Sequence, residues 1–167
     1  MDKKDRKMGM VMSVIISCAM GVLAAFLVTK TNPDATKATP VVMLYLSNIL
    51  MSVIAGILVA LFIPLGKMGR DLAARLHANP PGVKFFLINA IPLSVGNTLI
   101  ISIVVSFFGI LMGRAGAPAD ANLPPFIVMW GTSWIKLILP TLILSYVLAV
   151  ILSPVISRAM GLGGPRK

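Results

Sequence analysis

Residues 126–156 read FIVMWGTSWIKLILPTLILSYVLAVILSPVI, and Lys136 is the only charge among them. As a helix this stretch measures about 46 Å at 1.5 Å per residue. A bilayer's hydrocarbon core is about 30 Å thick and takes about 20 apolar residues. The stretch is therefore long enough to cross a membrane, and must tilt, kink or extend beyond it. Three more runs of the same kind precede it: Met8 to Val28, Val41 to Leu65 and Phe85 to Met112.

Composition agrees. Of 167 residues, 57% are hydrophobic and 12% charged, with a mean hydropathy of +0.95. Soluble domains run at about 45–50% apolar and about 25% charged. A water-soluble globule of this size could not hide so much apolar surface, which excludes soluble enzymes, disordered tails and nucleic-acid modules. The expected fold is all-α: a polytopic four-helix transmembrane bundle made of two parallel-repeat helical hairpins. They divide the chain into a first two-span repeat, 1–65, a cytoplasmic linker, 66–84, and a second two-span repeat, 85–167. The single cysteine, Cys18, excludes an intrachain disulfide. Ile15-Ile16-Ser17-Cys18 has the look of a lipobox, but the apolar run continues to Val28, which favours a retained helix.

Charge placement sets direction. The net charge is +10, from fifteen Lys and Arg against five Asp, with no Glu and no Gln. Lys3, Lys4, Arg6, Lys7, Lys67, Arg70, Arg75, Lys84, Arg158, Arg166 and Lys167 fall on one side of a four-span topology. Only Lys30, Lys37 and Arg114 fall on the other. By the positive-inside rule both termini are expected in the cytoplasm.

The two halves look alike. Ser13-Val-Ile-Ile-Ser17 matches Ser102-Ile-Val-Val-Ser106. Asn32-Pro33-Asp34-Ala35 ending at Pro40 matches Ala117-Pro118-Ala119-Asp120 ending at Pro125. Tyr45 and Trp130 follow those terminal prolines at the same spacing, and Pro64 and Pro154 close the two halves. An even number of spans per unit gives both units the same direction, so the repeats would be parallel. Between them, Asp71 to Leu76 reads as a short surface helix before the Asn79-Pro80-Pro81-Gly82 breaker.

With Trp130-Gly-Thr-Ser-Trp134, Pro140 and the Pro154-to-Arg158 exit, the second half resembles an uncharacterised bacterial family of small two-span integral membrane domains. The first half carries Tyr45 in place of Trp and has no mid-helix Pro. The resemblance implies a tandem copy of that domain and a multi-pass protein of the bacterial inner (cytoplasmic) membrane. It supplies no activity.

Each span carries small residues four apart, which places each set on one helix face. These are Ser13, Ser17, Gly21 and Ala25; Asn48, Ser52, Gly56 and Ala60; Ser94, Thr98, Ser102 and Ser106; and Thr141, Ser145, Ala149 and Ser153. Lipid tails are as apolar as Leu, so helices in a membrane associate through close approach and hydrogen bonds. The stripes read as helix–helix seams.

A charge within a span is the sharpest functional clue, because it is expensive there unless it finds polar company. Two depths are open to Lys136. If its span begins at Phe126 the residue lies near mid-membrane; if it begins near Trp134, the lysine snorkels outward. With Asn48, Asn89 and Asn97 it forms a candidate polar lining, while Tyr45, Trp130 and Trp134 are candidate interfacial aromatics. Pro92 and Pro140 would free backbone carbonyls and break their spans, as in many transport sites. The spans hold no Asp, Glu or His, and the only histidine, His77, falls in the linker. No paired carboxylates, metal set or phosphate-binding loop is present in the sequence, so neither enzymatic activity nor a cofactor is expected.

The expectation is a small integral membrane protein that permits passage of a small solute or anion, as a homodimer because four helices enclose little space. The alternative is an accessory or structural subunit packed against a larger membrane partner.

Overall fold

The computed structural model describes residues 3–31, 40–79, 82–117 and 122–159. The loop motifs at 32–35 and 118–120, Lys37, the Pro80-Pro81 breaker and the basic tail from Met160 onward lie outside them. Among the described residues there are five helices and no strand: α1 (Lys3–Thr31), α2 (Val41–Phe62), α3 (Leu65–Arg75), α4 (Val83–Ala115) and α5 (Phe126–Ala159). All but α3 are long and apolar enough to span a membrane, with mean hydropathies of 2.2 to 2.5 over the apolar windows. In hydrocarbon every backbone N–H and C=O must find its partner inside the chain, which a helix achieves alone. The chain is a multi-pass membrane protein built as a four-helix bundle.

The second apolar run ends as a helix at Phe62, three residues short of the sequence expectation. Pro64 is the cause: the residue before a proline is pushed out of the α region. Ile63 accordingly sits at φ −116°, ψ 117°, while its N–H still reaches the Val59 carbonyl at 2.8 Å. Leu65 then opens α3, which starts six residues before the helix expected at Asp71. Helix α3 stops where His77 takes a left-handed conformation, φ 51°. The Ala78 N–H returns to the Ala73 carbonyl at 2.9 Å across that residue, the bond of a Schellman ending.

Far from lying free on a surface, α3 packs along α4. Its buried face is Leu65, Gly69 and Ala73. The Leu65 side chain is seated over Gly96, and Gly69 lies against the carbonyl and side-chain oxygens of Asn89. The first turns of α4 therefore run back alongside α3, which is why α4, at 33 residues, outlasts the thickness of a bilayer.

Helix α4 continues through Pro92, and α5 through Pro140 and Pro154. The proline-broken spans expected from the sequence are thus continuous helices. Each ring still removes one donor, so the carbonyls four residues earlier, at Ile88, Lys136 and Val150, lose their usual helical partner.

The long helices form a square. Helix α1 packs chiefly on α2, and α4 on α5, making two hairpins. The hairpins meet through α1 with α5 and through α2 with α4, while the diagonal pair α1 and α4 barely touches. The core between them is narrow, built on Met12, Ile16, Met20, Ile101 and Val105 with small residues around them.

Candidate functional site

The small-residue stripes line the inside of the square. Ser13, Ser17, Gly21, Ala25, Ser52, Gly56, Ser94, Thr98, Ser102, Ser106, Thr141, Ser145, Ala149 and Ser153 are all buried, and Asn48 and Ala60 are half-buried. Their size sets the helix spacing. A Cβ on Gly21 would stand 2.6 Å from the Ile49 Cα, so α1 and α2 touch backbone to backbone there. A Cβ on Gly56 would collide with the Ser17 hydroxyl. One turn on, the Ser13 hydroxyl donates to the Gly56 carbonyl at 2.7 Å.

The seam between α4 and α5 is held by two parallel relays. Trp130 Nε1 donates to the Ser106 hydroxyl and Trp134 Nε1 to the Ser102 hydroxyl, each at 3.0 Å. Each serine in turn donates to a carbonyl of its own helix, Ser106 to Ile103 and Ser102 to Leu99. Phe107 closes the end of this seam, edge-on to Trp130 and Phe126 at 5.9 and 5.3 Å between ring centroids. The tryptophans, expected as interfacial aromatics, also act as cross-helix hydrogen-bond donors. Tyr45, their counterpart in α2, is half-buried. At the same end the Arg114 guanidinium donates to the Pro124 carbonyl at 2.8 Å and ties the close of α4 to the approach of α5.

The four residues proposed as one polar lining are not brought together. Asn97 is fully buried between α1 and α4, with its Oδ1 3.3 Å from the Ser13 hydroxyl. Asn48 spends its amide on its own helix, donating to the Leu44 carbonyl at 2.8 Å. Asn89 is buried and faces α3 across Gly69. Lys136 is exposed on the outer face of α5, beside Ile135 and Leu139, which are 67% and 64% exposed. The lining expected from the sequence is therefore absent from a single bundle.

The reason is angular. Thr141 faces inward, and Lys136 precedes it by five residues, about 140° around the helix at 3.6 residues per turn. A side chain so far from the seam looks away from it. Among the described residues Lys136 finds neither a hydrogen bond nor an ion pair.

The interior offers little room. A cleft beside the start of α3, lined in part by Ser13, Asn97 and Lys67, leaves about 20 Å³ for the centre of a water molecule. A second void, between Met20, Ser52, Ile101 and Leu137, leaves about 10 Å³. The first is large enough to admit a water. Several buried polar atoms nearby have no protein partner, among them Asn97 Nδ2, Thr98 Oγ1 and the hydroxyls of Ser17 and Ser52. Turning the Asn97 amide over would let its Nδ2 donate to Ser13.

Two features escaped the sequence reading. The Leu65, Gly69, Ala73 stripe of α3 has the same spacing of four as the spans and was readable on that ground. Gly109 and Gly113, also four apart, lie on the exposed side of α4 with open space where a Cβ would be. No cluster of metal-ligating side chains occurs among the described residues.

No family model matches the chain, and no curated protein or solved structure matches it.

Proposed function

We propose that this protein is an accessory subunit of a larger assembly in a bacterial cytoplasmic membrane, with both termini in the cytoplasm and no chemistry of its own. One observation carries the reading: Lys136, the only charge away from the ends of the apolar spans, is turned outward, while the buried polar side chains are packed inside a bundle with little internal space. A solute path would need the reverse, a charged or polar lining around an opening. A subunit that binds a neighbour needs a rigid body and one polar group on its outer surface.

The orientation rests on the distribution of Lys and Arg. The bacterial setting and the tandem origin rest on the Trp130-to-Arg158 pattern and on the halves' matching sequence. The packing is in keeping with two copies: exchanging the hairpins exchanges the α1–α5 contact for the α4–α2 contact.

Extraction in mild detergent, followed by mass measurement of intact complexes, tests the role. The expected result is one partner at fixed stoichiometry with the native chain, lost with Lys136→Leu. A homodimer alone, unchanged by that substitution, would overturn it. Proteoliposomes containing only this chain are expected to hold an anion gradient as well as empty vesicles do.

A further inference from the structure

The depth of Lys136 can be measured against α2. That helix has 22 residues, none of them charged, and is bounded by Pro40 and by the Ile63-Pro64 break. It is about 33 Å long, close to the hydrocarbon thickness of a bilayer. Ser52 stands at its middle. Leu137 and Thr141 share a void with Ser52, Met20 and Ile101, so the 137–141 turn of α5 is level with Ser52. Lys136, just before that turn, is therefore within about one helical turn of mid-depth. The count along α5 agrees, placing it about 15 Å from Phe126, half of that thickness.

Helical side chains lean toward the amino end, here the 126 end of α5. A fully extended lysine stem covers roughly 6 Å from standard bond lengths, which leaves the ammonium about 9 Å short of the headgroups. Snorkelling along the bundle surface does not solve its solvation. Nor does a second copy: the five acidic residues, Asp2, Asp5, Asp34, Asp71 and Asp120, all lie outside the spans. A symmetric dimer through this face would instead bring two ammonium groups together in hydrocarbon.

We infer that the outer face of α5 seats a partner's transmembrane helix that carries a carboxylate, Asp or Glu, at mid-membrane opposite Lys136. The inference rests on the accessory role proposed above and names the partner's chemistry. Two neighbouring features suit such a helix. Thr132, one turn before Lys136, is exposed and offers a hydroxyl. Pro140 has no N–H for the Lys136 carbonyl, so that carbonyl is left as an acceptor one turn before Pro140. Burial of a paired charge needs its remaining hydrogen bonds satisfied, and this face supplies both signs of them.

The test uses the full chain in phosphatidylcholine vesicles, labelled at Cys18, its single and exposed cysteine. Synthetic Leu/Ala transmembrane peptides with a central Asp, a central Leu or an Asp near one end carry the energy-transfer acceptor. The central-Asp peptide is expected to associate about tenfold more tightly than the central-Leu peptide, a strong polar contact in hydrocarbon. The preference should persist in Lys136→Arg and vanish in Lys136→Leu, with unchanged tryptophan emission showing that the bundle is folded. Equal association of the central-Asp and central-Leu peptides overturns the inference. So does equal association of the end-Asp peptide, which would put the ammonium at the interface. Loss of the preference when phosphatidylglycerol is added overturns it too, in favour of a lipid headgroup. Co-purification of a Lys136-dependent partner with no peptide preference would refute the carboxylate alone. A peptide preference without any partner in native membranes would refute the accessory role alone.

Discussion

Trp134 Nε1 lies 3.0 Å from the Ser102 hydroxyl, and that hydroxyl lies 3.2 Å from the Leu99 carbonyl, so one serine serves as acceptor and donor at once. Replacing it strands an indole N–H on the α4–α5 seam. Ser102→Ala is expected to lower bundle stability by about 0.5–2 kcal/mol, the range for polar contacts between membrane helices. Ser106→Ala should act alike through Trp130. Unfolding in mixed micelles, followed by tryptophan emission, measures both; wild-type stability in both variants would show that the relays carry no energy.

Glycines sort into two groups by what surrounds them. At Gly21 an added methyl meets the α2 backbone, which cannot swing aside as a side chain can. Gly21→Ala is expected to cost about 1–3 kcal/mol through overpacking. At Gly109 and Gly113 nothing stands within 4 Å. Alanine at either should be neutral or stabilising by up to about 1 kcal/mol, since glycine is a poor helix former. The same unfolding assay ranks the three, and equal effects would contradict the packing described.

Helix α3 is held by small contacts that a single side chain can undo. Gly69→Leu is expected to lift it from Asn89. Ala73, fully buried in the native bundle, reports the change. In a Cys18→Ser background, Ala73→Cys should resist a water-soluble maleimide and become reactive when Gly69→Leu is added. Rapid labelling without the second change would mean that α3 is not docked.

His77 occupies the left-handed position that ends α3. A side chain there costs about 1–2 kcal/mol relative to glycine. His77→Gly should stabilise α3 by about 1 kcal/mol, less the added freedom of the unfolded chain. Slower proteolysis of the linker would register the gain.

Hydropathy and the spacing of four are local properties of a chain, and they were enough to locate the four spans and their inward faces. Lys136 shows what a list of polar residues leaves out. Its five-residue offset from Thr141 already directed it outward, but grouping it with Asn97 by polarity alone concealed that. The continuity of α4 and α5 through Pro92, Pro140 and Pro154 was not legible, because neighbouring helices decide whether a proline ends a helix or is absorbed by it. The length of α3 was missed because a hydropathy run extended through Pro64, where the backbone turns. Nothing local to Leu65 indicates that it rests on Gly96, a residue of a different helix.

That last contact bears on biogenesis. During synthesis Leu65 and Gly69 leave the ribosome well before Asn89 and Gly96, so α3 has no seat while the first hairpin enters the membrane. The linker can settle only after the start of the second hairpin has been made. Any nascent chain halted between them carries the amphipathic α3 without its seat on Asn89 and Gly96.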